Sequence, residues 1–218
     1  MVDLDLLAYL EGFITQERKA RISEVLEERT KYITVAMEDV FQMHNASAVV
    51  RSCEVFGIQE AHLIEGRFGR RLDKNIAMGA QRWVDVMHYN SSISCLETLQ
   101  ENGYRIVATT PNPNATALTD FKMEGKTALF FGTEKEGLSK AILQRADGLI
   151  TIPMFGFTNS LNISVSAAII LQHLTSQLRN TKRNWRLSAS EILEKRLEWT
   201  KKSVRSIDDV LARYHGLK

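Results

Sequence analysis

The chain has 218 residues, 44% of them hydrophobic and 25% charged, an ordinary globular balance that excludes a disordered or fibrous protein. At this length folding buries roughly 70% of the surface that the unfolded chain exposes, so the core needs neither disulfides nor a structural metal. No apolar run approaches the roughly 18 to 20 residues of a membrane helix. The acidic start, MVDLDLLAYLEGF, lacks the basic region and small-residue cleavage site of a secretory signal, so a cytoplasmic protein is expected.

In chain order, Glu17 to Thr30 sets Ile22, Val25 and Leu26 among charges, the pattern of an amphipathic helix. Tyr32 to Met37 reads as a strand. Asn45 to Phe56 reads as a helix capped by Asn45. Ala61 to Ile64 and Trp83 to His88 read as strands, and Ser91 to Glu101 as a helix closed by Asn102-Gly103. Tyr104 to Thr109 and Thr127 to Phe131 are rich in β-branched and aromatic residues, hence strands. Leu138 to Arg145 is helical, Leu149 to Pro153 a strand, and Asn162 to Leu178 a long helix, apolar almost all round in its first half. Strands alternating with helices predict an α/β fold on a mostly parallel sheet. The strand-free region after Arg179 reads as a helical appendage.

Net charge is only +2, from 28 basic and 26 acidic residues. From His173 to Lys218, however, 11 basic residues face 5 acidic ones. A second cluster gathers Arg67, Arg70, Arg71, Lys74 and Arg82. Such clusters attract polyanions by counterion release, although solvated faces look the same in sequence. Trp185 and Trp199 offer stacking surfaces, but their helical setting favours packing. The cysteines, Cys53 and Cys95, and the five histidines form no ligand-spaced group, so no metal site is expected. Cys53 reads as a core thiol.

Three polar or glycine-bearing segments follow strands, where open α/β sheets bind ligands. The first is HNASAVVR, His44 to Arg51. With Asn45 as cap, Arg51 falls nearly two turns into the helix, beside Ala48, Val50 and Val55, where a guanidinium is costly unless paired. A cap plus a surface arginine is the plain alternative. The second is FGTEKEGLS, Phe131 to Ser139. It matches neither the dinucleotide nor the P-loop fingerprint. The third is IPMFGFTNSLNISVSAA, Ile152 to Ala168. Ser160 or Asn162 can cap the helix that follows, and no GxSxG elbow is present.

Together, in this order and spacing, the three segments resemble the three motifs of the SpoU-type ribose 2′-O-methyltransferases of the SPOUT superfamily. The likeness spans about residues 45 to 170. The flanks resemble the tRNA-guanosine subgroup, with Arg18, Arg21, Ile22, Val25, Leu26 and Arg29 before the first strand and a basic helical tail behind the third motif. The resemblance implies a knotted SPOUT fold: an α/β domain with a mostly parallel sheet and a deep C-terminal trefoil knot, flanked by N- and C-terminal helical extensions. The implied division is an RNA-binding extension over 1–31, a catalytic domain over 32–178 and a basic extension over 179–218. It further implies S-adenosylmethionine as cofactor, held in bent form largely by main-chain groups, and a homodimer whose sites are completed by the partner subunit.

Carried over position by position, cofactor contacts fall at Thr109, Gly132, Glu134, Ile152, Met154, Ser160 and Leu161. Catalytic positions fall at Asn45, Arg51, Glu134, Ser160 and Asn162. Arg18, Arg21, Arg29, Arg179 and Arg183 would meet tRNA phosphates. In the family's chemistry Arg51 activates or orients the ribose hydroxyl, and Asn45 orients Arg51 or the ribose. Phe155 and Phe157 occupy positions that vary in the family, and the acidic leader to Gln16 has no counterpart. The implied reaction is tRNA 2′-O-methylation at the D-loop guanosine 18. The alternatives are an rRNA or anticodon-loop methyltransferase, a non-catalytic RNA-binding protein, and a dinucleotide enzyme, the last disfavoured by the missing GxGxxG.

Overall fold

In the computed structural model, residues 2–40, 42–66, 79–133 and 135–216 are described. The chain divides into two compact units, one of residues 30–185 and one in which residues 1–29 join 186–218. The two terminal extensions thus form one body, with boundaries at 29/30 and 185/186 where the sequence placed them at 31/32 and 178/179.

In the larger unit, seven strands are described: β1 (Ile33–Glu38), β2 (Glu60–Ile64), β3 (Asp85–Tyr89), β4 (Arg105–Thr109), β5 (Thr116–Ala117), β6 (Thr127–Phe131) and β7 (Gly148–Thr151). Their order is β3-β2-β1-β6-β4-β7-β5, and every neighbouring pair is parallel. Parallel pairing requires crossovers, and among the described residues α-helices supply three of the six: α3 (Met43–Val55), α4 (Ser92–Glu101) and α5 (Lys140–Arg145), with α6 (Ile163–Arg179) closing the unit.

Strand alternation sorts the core into two faces. Ile33, Val35 and Met37 of β1 join a cluster with Val49, Val50 and Cys53 of α3 and Ala167, Leu171 and Leu174 of α6. Ala36 points the other way, among Cys95, Leu96 and Leu99 of α4 and Ile142 of α5. Covered on both faces, β1 is buried along its whole length, the usual fate of a central parallel strand. The sequence reading missed β5, two residues long, and placed the start of α3 wrongly. Gln42 holds the cap position of α3, without a side-chain cap bond, and Asn45 lies inside the helix. Trp185 is buried in the larger unit and packs there, but on the segment between α6 and the next helix, not in the helical setting expected of it.

The smaller unit holds α1 (Leu4–Glu11), α2 (Gln16–Glu27), α7 (Ala189–Ser203) and α8 (Ile207–Gly216). The acidic leader therefore forms a helix, which its sequence did not announce. Asp3 caps it, accepting from Leu6 N at 2.9 Å. Leu6 and Leu10 pack with Val210 and Tyr214. Ser188 and Glu191 form a reciprocal capping box at the start of α7. Trp199 is buried within this unit, again as packing.

Candidate active site

The carboxyl ends of β4, β6 and β7 open onto one cavity of about 450 Å³, within the usual range for a small-molecule site. Thr109 ends β4, Phe131 ends β6 and Thr151 ends β7, and the N-terminal turns of α6 form a further wall through Ile163 and Ser166. All six of the described cofactor positions named from the sequence (Thr109, Gly132, Ile152, Met154, Ser160 and Leu161) line it. Glu134 lies outside the described residues, as do Arg67, Arg70, Arg71 and Lys74.

The second motif shapes the cavity through its main chain. Thr133 and Gly137 exchange two backbone hydrogen bonds, each 3.0 Å, pinching the loop between them. Gly137 closes the pinch with φ +69°, a conformation that glycine adopts without steric cost. A Cβ on Gly132 would collide with the backbone of Gly137 and Leu138, so this close approach admits only glycine. The far end of the loop is fixed by Glu38. Its buried carboxylate accepts from the Ser139 amide and from the Ser139 hydroxyl, both at 2.7 Å. Thr109 Oγ1 donates to Phe130 O at 2.9 Å, which orients the hydroxyl at the end of β4. The sequence reading missed Glu38, Thr110 and Pro111, the last two also lining the cavity. Only their positions just past strand ends signalled them.

The first and third motifs meet directly. Asn45 is 2% exposed, and its Oδ1 accepts from Asn162 Nδ2 at 3.2 Å. Asn162 in turn caps α6, with Oδ1 accepting from Ser164 N at 2.8 Å and Ser164 Oγ at 2.6 Å. Asn45 Nδ2 donates to Gln42 Oε1 at 3.1 Å. One pair of amides thus ties the first turn of α3 to the N-terminus of α6.

A model of the SpoU rRNA methylase family matches residues 32–172. The chain belongs to the SpoU rRNA methylase family. A family relative from Borreliella burgdorferi, named tRNA (guanosine(18)-2′-O)-methyltransferase, is 38% identical over 200 residues, covering 92% of each chain. The TrmH/SpoU tRNA modifying enzyme of Aquifex aeolicus superposes with a TM-score of 0.77 at 31% identity, over 88% of this chain and 98% of its own. The SpoU methyltransferase AviRb of Streptomyces viridochromogenes, solved in complex with AdoMet, shares the fold with a TM-score of 0.61 at 20% identity, over 73% of this chain and 62% of its own.

Arg51, the arginine of the first motif, is exposed. The apolar surroundings expected of it are corrected by the structure. With α3 starting at Met43, Arg51 shares the outer side of the helix with exposed His44 and with Val55, which is 65% exposed. Its charge therefore stays in water.

The five arginines expected to meet RNA divide three ways. Arg18 and Arg21 are exposed on α2, Arg21 pairing with Glu24 at 2.8 Å. Arg29 is 1% exposed, with its guanidinium over the Trp199 ring at 5.2 Å. This corrects its reading as a phosphate contact, because a side chain so enclosed packs the small unit and offers nothing to a polyanion. Arg179 and Arg183 are exposed but already donate within the larger unit. Arg179 reaches Phe56 O at 3.0 Å, while Arg183 reaches Met123 O at 2.7 Å and the Tyr32 hydroxyl at 3.1 Å.

Proposed function

We propose that the chain transfers a methyl group from S-adenosylmethionine to the ribose 2′-hydroxyl of guanosine 18 in the D-loop of tRNA, in the cytoplasm. It acts as a homodimer whose sites the partner subunit completes. The observation that carries this reading is the gathering of six sequence-assigned cofactor positions around one cavity at the strand ends. The name of the Borreliella relative, which matches over nearly the whole chain, supports the tRNA position over an rRNA or anticodon-loop target. A knotted course of the chain behind β6 belongs to the same proposal.

The cavity suits the cofactor chemically. Apolar walls at Ile152, Met154 and Leu161 accept a purine and the carbon chain that bears the sulfonium, while Gly132, Thr133 and Gly137 bring main-chain polar groups to the lining. When bound, the cofactor supplies a methyl on a positively charged sulfur. The ribose hydroxyl is a poor nucleophile until its proton is partly transferred. The Arg51 guanidinium holds the adjoining phosphate and polarises the hydroxyl electrostatically. Asn45 and Asn162 fix α3 against α6 and so fix where Arg51 stands. Ser160 shapes the cavity and its motif loop. Arg18, Arg21, Arg179 and Arg183 contact tRNA phosphates.

The test is methyl transfer from labelled S-adenosylmethionine to unmodified tRNA transcripts, with an rRNA fragment alongside and the modified nucleotide mapped. Label is expected at guanosine 18. Arg51→Ala is expected to abolish transfer while cofactor affinity stays within about twofold. Label at another nucleotide would discard the position, and normal turnover by the variant would remove Arg51 from the chemistry.

A further inference from the structure

Residues 152–162, which join β7 to α6, contain neither helix nor strand. Within this loop Met154, Ser160 and Leu161 line the cavity. Between them stand Phe155 and Phe157, on either side of Gly156. They are 98% and 107% exposed, the most exposed of the large apolar side chains described. Two phenylalanine rings held fully in water gain nothing from the fold around them, because apolar surface is stabilising only when it leaves water.

The place of these rings identifies what covers them. An RNA that delivers a ribose to the cavity brings the flanking nucleotides onto the loop forming its wall. Nucleotides in an RNA loop are unstacked or readily become so, and their exposed faces are stacked on aromatic side chains in RNA-binding proteins. Such stacking tolerates any base because every base has a π face. A second copy of the chain is the rival occupant. Its chemistry is better met by the aliphatic group of Leu161, just before α6, with Val165 and Ile169 four residues apart on that helix, 38%, 46% and 40% exposed. The rings lie before that row, on the loop that lends Met154, Ser160 and Leu161 to the cavity wall. Exposed Arg51 and Lys135, the latter also lining the cavity, offer cations to the accompanying phosphates. We propose that Phe155 and Phe157 form a stacking platform for the unpaired bases beside the target nucleotide.

The proposal rests on the methyl-transfer reading and is tested on the full chain. Phe155→Ala and Phe157→Ala are each expected to raise the Kd for unmodified tRNA about tenfold. Phe→Tyr at either position is expected to restore binding. Phe→Leu, which keeps apolar area without a ring face, is expected not to. The slope of log Kd against log salt should stay unchanged, because no phosphate contact is lost. Cofactor affinity and the mass of the assembly in solution should stay unchanged too. Unaltered tRNA affinity in the alanine variants, or full rescue by leucine, overturns the platform. So does dissociation of the assembly, which would give the rings to a second copy, or loss of cofactor affinity, which would make them part of the cavity wall. If the unsubstituted protein methylates the rRNA fragment and not tRNA, the tRNA reading falls, and the same comparison on that fragment decides the platform.

Discussion

His62 shows how one side chain writes a pH dependence into the fold. It sits on β2, 3% exposed, with Nδ1 3.2 Å from the Tyr89 hydroxyl. Burial lowers its pKa to about 4, because the imidazolium would have to leave water. In the unfolded chain the group titrates near its ordinary value of about 6.5. Between these two values the unfolded state binds the additional proton, so stability is full above about pH 6.5 and is lost as the pH falls toward 4. The loss expected from pH 7.5 to pH 5 is about 2 kcal/mol, read from urea denaturation at each pH. Carboxylates titrate over part of the same range, so the informative quantity is the difference from His62→Phe. That variant should lose clearly less stability over the interval, and an identical slope would show that His62 does not carry it. Nearby Cys95 is governed by the same burial, which pushes its thiol up to about 12. A thiol so held is a packing group, not a nucleophile.

The bridge between helices is the feature on which the site depends at the scale of elements. Asn162 performs two tasks: its Oδ1 caps α6 and its Nδ2 donates to Asn45 on α3. Substitutions separate them. Asn162→Asp keeps an acceptor at the cap and adds a charge that suits a helix N-terminus, but it loses the donor to Asn45. It is expected to hold stability near that of the parent while methyl transfer falls at least tenfold. Asn162→Ala loses both tasks and should also cost about 1 kcal/mol of stability. Full turnover by Asn162→Asp would show that the bridge is dispensable.

This contact also marks where the sequence stopped being readable. Helical and strand periods over Ile33 to Glu38, Thr127 to Phe131 and Ile163 to Arg179 are local, and they predicted β1, β6 and α6 closely. Asn45 looked like a cap because local pattern assigns asparagine there. Its actual partner lies 117 positions away in the chain. Arg29 was assigned to RNA by the resemblance alone, which carries no sign of its stacking partner Trp199. The leucines of α1 acquire a meaning only when Val210 and Tyr214 arrive beside them. The cavity residues were recovered because three motifs of fixed order carry tertiary information that no single period holds.

At the scale of the whole molecule, the outer side of α6 raises the question of assembly. Val165 and Ile169, four residues apart on α6, and Leu161, just before its cap, remain 38 to 46% exposed. Their row begins at the cavity, since Leu161 is part of its lining. Helix α3, which packs against α6, adds Val55 at 65% exposed. An isolated exposed aliphatic residue needs no explanation, but a row at helical spacing is the pattern of a helix packed on another surface. A second copy laid along this row would border the cavity, which is the geometry a shared site requires. Val165→Asp places a charge in the middle of the row without touching the cavity, whose lining does not include Val165. A buried, unpaired carboxylate at an interface is strongly destabilising. If the proposed dimer uses this row, the variant sediments as a monomer at concentrations where the parent sediments as a dimer, and it loses methyl transfer with its mass. A variant that stays dimeric, or a monomer that turns over at the parental rate, would place the partner's contribution elsewhere than on this face of α6.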